Sequence, residues 1–243
     1  MITVIVPTLD EEEQLPRCLA ALQAQGPHEL IVVDAGSTDN TVRLAETGGA
    51  TVLVTAPGRA AQLNEAARRA SGDTLVFVHA DTRLPPGALT TVRVLLGRRP
   101  EVVGGCFSLR HDSPSRLLAA LTLLGNLHSR LTGSLQGDRA IFVRRPAFEA
   151  AGGFPLEPIM EDVVFGRRLK TCGRIRILHQ TVISSPRHFE REGVLRVAAK
   201  AAVCYCAYDL GMSADRIATL YWSNRRRRAS EHAAPPHRGS RPA

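Results

Sequence analysis

Four carboxylates and one histidine are the residues of this 243-residue chain whose types and positions could do chemistry. Glu11, Asp34, Asp81 and Asp162 each stand where an apolar run stops or a helical pattern starts. Acids gathered on one rim without matching lysines repel one another, so they call for a bound cation or a polyhydroxyl ligand. The run Thr74-Leu75-Val76-Phe77-Val78 is apolar on both alternating faces and ends in His79-Ala80-Asp81. That pattern predicts a central strand covered on both sides, and in an open α/β sheet the ligand sits beyond the carboxyl ends of such strands. Plainer accounts exist for the same residues: Asp81 also fits a turn carboxylate ahead of Pro85-Pro86, and Glu161-Asp162 fits a first-turn pair that compensates a helix dipole.

The elements that must hold these groups follow in chain order. Ile2 to Val6 is a β-branched strand broken by Pro7, and the acids Asp10 to Glu13 are expected to cap a helix with Leu15, Leu19 and Leu22 on its apolar face. Glu29 to Asp34 is a second strand, followed by a small-residue turn in which Asp39 is the expected N-cap of the next helix. A third strand over Ala50 to Thr55 and a helix over Arg59 to Ala70 lead through Ser71-Gly72-Asp73 to Thr74. This alternation requires parallel strands joined by right-handed crossovers, an α/β class. The second half predicts a helix over Pro86 to Leu96, a strand over Val102 to Leu109 kinked at Gly104-Gly105, and a helix opened by Ser113-Pro114 that runs through Leu124. A strand over Ala140 to Val143, a helix from Glu161 to Gly173, short strands at Ile175 to Leu178 and Thr181 to Ser184, and an Ala-rich helix over Val194 to Tyr208 complete it.

Composition narrows the function classes. With 44% hydrophobic residues the chain sustains one sizeable core. The formal charge is +8, but from Asn224 to Ala243 six arginines oppose one glutamate, so the body carries little excess and does not argue for nucleic acid. That tail, low in apolar residues, is expected to be disordered. Five cysteines, odd in number and without a C-x-x-C pair, fit a reduced cytosolic compartment in which they serve as small hydrophobes. The first residues lack the basic n-region of a signal peptide and are expected to be the first strand. No apolar run reaches the roughly 18 residues of a spanning helix. Leu117 to Leu127, flanked by Arg116 and Arg130, is either a core helix or a face that rests on the inner side of a membrane and meets a lipid. Neither a P-loop lysine motif nor G-x-G-x-x-G follows the first strand, which disfavours an ATPase or a dinucleotide dehydrogenase.

The segments Val4-Ile5-Val6-Pro7-Thr8-Leu9-Asp10-Glu11-Glu12, Ile31-Val32-Val33-Asp34-Ala35-Gly36-Ser37-Thr38-Asp39-Asn40-Thr41, Gly58-Arg59 with Asn64, and Phe77-Val78-His79-Ala80-Asp81 resemble, in order, four motifs of the family-two glycosyltransferases. Gly152-Gly153-Phe154 followed by Glu161-Asp162 is similar to that family's acceptor-side motif. The resemblance implies a GT-A fold, a Rossmann-like, mostly parallel sheet flanked by helices with a helical C-terminal part. It also implies an inverting enzyme that uses a nucleoside-diphosphate sugar, most simply a UDP-sugar. By the same resemblance Asp34 recognises the base, and Pro7, Thr8 and Glu11 line the nucleoside pocket with Ser37 and Asp39 in the turn beside it. Arg59 and Asn64 lie near the base or phosphates, Asp81 binds Mg²⁺ or Mn²⁺ under the diphosphate, and Asp162, next to Glu161, is the general base toward an acceptor hydroxyl on a small molecule or lipid. One domain is implied over residues 1–223, with a donor half at 1–100, an acceptor half at 101–190, C-terminal helices at 191–223 and the basic tail at 224–243.

Two departures bear on that expectation. The family's metal motif is D-x-D, whereas here His79 stands in the first position; imidazole can ligate Mn²⁺ or bond the ribose, and a core histidine satisfied by a carbonyl is equally open. His188 falls where such enzymes sometimes place a late phosphate or metal contact. The Q-x-x-R-W motif of processive synthases is missing, so transfer of one sugar is expected. Gly137 to Arg145, G-D-R-A-I-F-V-R-R, is similar to a small bacterial subgroup associated with radical-SAM proteins and proposed for arsenosugar synthesis. The alternatives are a sugar-1-phosphate nucleotidyltransferase, whose glycine-rich basic first loop Pro7 to Glu11 does not supply, and a non-catalytic nucleotide-sugar-binding module.

Overall fold

A computed structural model describes residues 1–221 of the chain, so the basic tail lies outside the described residues. Strand β1 (Ile2–Thr8) forms the middle of a parallel quartet with β2 (Glu29–Asp34), β3 (Thr51–Val54) and β4 (Thr74–Phe77). The helices α1 (Leu15–Gln23), α2 (Thr41–Thr47) and α3 (Arg59–Arg69) make the crossovers. These strands form because their residues are apolar on both faces: Val4, Val6, Val76 and Val78 pack toward α1, while Ile5, Ile31, Leu75 and Phe77 pack toward α3.

The sheet then changes direction. After the two-residue β5 (Thr82–Arg83) and α4 (Ala88–Arg98) come β6 (Val102–His111), α5 (Arg116–Thr132), a 3₁₀ turn at Gly137–Arg139, β7 (Ile141–Arg144), α6 (Arg145–Ala150), α7 (Glu161–Cys172), β8 (Arg174–Ser184), α8 (Arg187–Glu192) and α9 (Val194–Asp209). A further helix occupies 214–221. The eight-stranded sheet runs β3-β2-β1-β4-β7-β6-β8-β5, with β7 antiparallel to both neighbours and β6 parallel to β8. The expected mostly parallel sheet flanked by helices is what forms, with antiparallel pairing at β7 and β5.

Several local expectations change. The two short strands at 175–184 are one strand, β8, whose register against β6 shifts between Phe107 and Ser108. Gly104 and Gly105 mark close approach: a Cβ on Gly105 would lie 1.8 Å from the Arg176 carbonyl oxygen. The acids Asp10 to Glu13 do not cap α1, which starts at Leu15 with no acid in its first turn. They lace the neighbouring loop instead. Among the described cysteines, Cys18, Cys106 and Cys204 are buried as expected, but Cys172 is half-buried and Cys206 is exposed.

Phe154 of the Gly-Gly-Phe motif anchors the second half to the first. Its ring lies 4.9 Å from Phe77 and 4.5 Å from Phe165, placing the first half of α7 against the strand that leads into His79.

Candidate active site

The loops after β1 and β2 form one hydrogen-bonded unit at the carboxyl edge of the sheet. Asp34 is fully buried; it accepts from Thr8 Oγ1 at 2.8 Å, from Gly36 N at 2.9 Å, from Ser37 N at 2.7 Å, and from the Ser37 hydroxyl. Four oxygen sites are thereby used on the turn itself, so in this structure Asp34 shapes the loop after β2 from beneath. Across the same seam Asp10 N donates to Ser37 Oγ, Thr38 N to Asp10 Oδ1, Glu11 N to Thr41 Oγ1, Glu12 N to Asp39 Oδ2, and Asn40 N to Glu12 Oε2. Asp39 accepts from Thr41 N at 2.9 Å but is not the N-cap of α2 expected of it: Asn40 holds that position without a side-chain cap bond, because Asp39 is turned to the seam with Glu12. Pro7 and Thr8 end β1 directly above this seam.

Asp81 follows β4 in a tight turn closed by Thr82 N donating to the His79 carbonyl at 2.9 Å. Its carboxylate faces Arg187, whose Nε lies 3.7 Å from Asp81 Oδ2 and whose Nη2 pairs with Glu11 Oε1. One guanidinium thus bridges two of the four rim acids. Burial, the largest influence on each, raises the pKa of both Glu11 and Asp81, and Arg187 opposes it. Asp138 raises Asp81 further. Glu11 Oε2 and Asp138 Oδ1 are buried without a partner among the described residues. Such oxygens have the chemistry of ligands for a hard cation. Among the described residues, however, no three His, Cys, Asp or Glu side chains converge into a metal cluster, and Arg187 stands between two of the acids.

Asp162 lies in a different part of the rim. It starts α7 after Met160, which takes a left-handed backbone with φ of 69°. Both carboxylate oxygens are held: Oδ2 accepts from Gly137 N at 2.6 Å and Oδ1 from Val163 N at 2.7 Å. Burial and then the charge of Glu161 push its pKa up to about 6, against the two amides and Arg59. Glu161 is itself buried and bound by Arg59 Nη1 at 3.2 Å. His79 faces the same point. A Cβ on Gly137 would lie 2.8 Å from His79 Nε2 and 3.5 Å from Asp162 Oδ2, so glycine is needed where the three meet. Burial, then Arg59, push the His79 pKa down to about 3, which keeps the imidazole neutral.

His79, Asp138, Glu161, Asp162, Arg59 and His188 line one cavity of about 470 Å³. Asp81 does not line it; the residue two positions earlier does. His188 sits at its edge, with Nε2 3.4 Å from the Tyr221 hydroxyl and Nδ1 3.7 Å from Glu192. Asn64 is used elsewhere: its Nδ2 donates to the Phe154 carbonyl and its Oδ1 accepts from Phe154 N, joining α3 to the Gly-Gly-Phe segment. Sequence reasoning missed Arg187, Asp138 and Arg139 as site residues, although they adjoin residues or lie in segments already singled out. The positive-φ residues other than glycine, Asp10, Ala140 and Met160, all flank this rim, the kind of strain that collects at functional sites.

Sheet order and the acid-bearing carboxyl edge are those of a GT-A glycosyltransferase fold. Residues 3–139 match Glycosyl transferase family 2, more than half of the chain, and the chain belongs to that family. It is similar to undecaprenyl-phosphate 4-deoxy-4-formamido-L-arabinose transferases, at 28% identity over 156 residues for the one from Serratia proteamaculans and 30% for the one from Pectobacterium carotovorum. The alignment with the first covers 59% of this chain and 48% of that protein, so the chain spans about half the length of these relatives. Among solved structures, S. aureus TarS 1–349 in complex with UDP-GlcNAc superposes with a TM-score of 0.61 at 20% identity, covering 76% of this chain and 58% of that one. Glucosyl-3-phosphoglycerate synthase from Mycobacterium tuberculosis in complex with Mn²⁺ and UDP-glucose superposes at 0.57 and 23% identity, covering 74% and 69%. Among the described residues no helix is long and apolar enough to cross a membrane.

Proposed function

We propose that the protein transfers one sugar from a nucleoside-diphosphate sugar to an acceptor hydroxyl with inversion, Asp162 acting as general base. The observation that carries this is the Asp162 carboxylate: fixed by two backbone amides, raised in pKa toward neutrality, and open to a cavity that also holds His79. The acceptor O–H gives its proton to Asp162 as its oxygen forms a bond to the anomeric carbon. The bond from that carbon to the diphosphate breaks on the opposite face, and the nucleoside diphosphate leaves with the electron pair. Glu161 and Arg59 hold the start of α7 in place for this.

The donor would lie over the laced loops, with Pro7, Thr8, Asp34, Ser37 and Asp39 forming the nucleoside seat and Arg59 reaching its phosphates. The relatives that bind UDP-sugars support a uridine donor. Asp81, with the unpartnered oxygens of Glu11 and Asp138, would hold Mg²⁺ or Mn²⁺, and His79 and His188 are candidates for remaining ligand positions. When bound, such an ion supplies positive charge to the departing diphosphate. The Gly137 to Arg145 run supports the radical-SAM-associated bacterial subgroup. A donor screen with and without Mn²⁺, reading nucleoside diphosphate release, tests the reading. Asp162→Asn should lower turnover by about 10²–10⁴-fold with donor binding retained. Unchanged turnover would remove Asp162 from the role, and pyrophosphate release from sugar 1-phosphate and nucleoside triphosphate would point to the nucleotidyltransferase.

A further inference from the structure

The cavity at Asp162 does not close behind the acid. It continues between α5 and α9, walled by Leu118, Leu121, Val197, Ala198 and Ala201. Gly125, Gln136, Val163 and Tyr205 are shared with a second cleft of about 590 Å³, which reaches Leu124 on the outer side of α5. The two are divided by the shared residues, among them Gln136 and Tyr205, whose side chains bond to each other at 2.9 Å, and the wall that the first cavity presents toward α5 and α9 is mostly apolar.

At its inner end lies Arg139, only 2% exposed. Its Nε donates to Gln136 Oε1 and its Nη1 to Asn126 Oδ1, both neutral amides. A guanidinium buried with neutral partners is costly unless an anion joins it. Its Nη2 lies beneath Gly125, where a Cβ would come within 3.1 Å, so the helix leaves room for this charge. The cleft has an apolar length and a cationic end, the shape of an amphiphile with an acidic head.

The outer surface agrees. Of the 17 residues of α5, only Leu118 and Ser129 are buried. Leu117, Leu124, Leu127 and Leu131 recur at helical spacing beside Leu123, and these five are between 45% and 77% exposed. Isolated exposed leucines need no explanation, but a stripe does. The helix also carries Arg116, His128 and Arg130 and no acid, while α9 adds Arg196, and its one acid, Asp209, is bound by Arg167. A second copy laid on this face would set like charges against one another, whereas an anionic bilayer would neutralise them.

We infer that the leucine face of α5 rests on an anionic phospholipid bilayer and that the cleft between α5 and α9 draws its acceptor from there, an amphiphile whose acidic head lies by Arg139. This deepens the transfer reading above and rests on it. The test is sedimentation of the full chain with phosphatidylcholine vesicles, with or without phosphatidylglycerol. Binding is expected only with phosphatidylglycerol. Arg116→Ser with Arg196→Ser should weaken partition roughly thirtyfold, each arginine near such a surface counting about fivefold. Leu124→Glu with Leu127→Glu should abolish it at unchanged melting temperature, since both side chains are exposed. Octyl phosphate should bind at least about tenfold tighter than inorganic phosphate by calorimetry, because only the former covers the apolar wall. Wild-type protein that stays in solution with phosphatidylglycerol vesicles, or binding untouched by the leucine variants, overturns the inference. So does a dimer that those variants dissolve. Titration of UDP without lipid separates the two readings: if UDP binds while vesicles do not, the amphiphile fails and the transferase stands.

Discussion

The two ends of the candidate site are built on opposite terms. At the proposed donor end, Asp34 and the loops after β1 and β2 are laced through Thr8, Ser37, Asp39 and Thr41. At the proposed acceptor end, Asp138 lines the cavity and its Oδ1 is buried without a partner among the described residues. The exposed leucines of α5 lie there too. A preformed polar seat suits a ligand that is always the same, since no ordering is left to be done on binding. An open, under-satisfied end suits a ligand that arrives from elsewhere and completes it.

The largest expected effect is at the donor end. Asp34→Ala leaves the Thr8 hydroxyl and the Gly36 and Ser37 amides without their buried acceptor, and should cost about 4 kcal/mol in urea unfolding. The matching change at the acceptor end, Leu124→Glu, should cost under about 0.5 kcal/mol because the side chain is already in water. Equal losses at both sites would erase the contrast. Between the ends, Gly137→Ala forces apart His79 and Asp162 and should cut turnover about a hundredfold while melting changes little. A variant with full turnover would mean that this junction is not where the reaction occurs.

How far the sequence reveals each end follows from the same contrast. Strands β1 to β4 are legible because runs such as Leu30-Ile31-Val32-Val33 are apolar on both faces and bounded by glycine or proline, which leaves one period to choose. The acids Asp34, Asp81 and Asp162 are legible as rim groups for the same reason. What pairs with them is not, because Arg187 reaches Glu11 across 176 positions and Asp162 reaches Gly137 across 25. The acids after Pro7 suggest a helix cap by local rules, yet they serve a tertiary seam that only the packing of two loops creates. In α5, a leucine-rich run carries the same periodicity whether it faces a core or a bilayer, and exposure alone distinguishes them.

Arg187 sharpens the comparison where donor chemistry meets the rim. Arg187→Ala removes the cation that Glu11 and Asp81 share, leaving two largely buried carboxylates facing each other, and should cost about 2 kcal/mol at neutral pH. If those acids are a cation seat, millimolar Mn²⁺ should raise the melting temperature of the variant more than that of wild type, and equal shifts would argue that the seat is Arg187's alone.

The smallest effect expected is a pH dependence of about tenfold between roughly pH 7 and pH 5, read in kcat/KM. Asp162 works as a base only when ionised, and burial with Glu161 beside it holds its pKa up at about 6. Activity should therefore fall as pH drops through that value and level off above it. Stability moves the other way. A carboxyl whose folded pKa is raised destabilises the fold once pH exceeds its unfolded value, and that cost vanishes as pH falls below it. Asp162→Asn sets its NH₂ against one of the two amides that the carboxylate accepts from, a cost present at every pH, so the linkage shows as a trend: the variant should gain on wild type as pH rises from acid to neutral, by melting at each pH. An activity limb that follows the ordinary aspartate range instead, with no stability gain in the variant, would put Asp162 in open solvent and leave the acceptor end without its base.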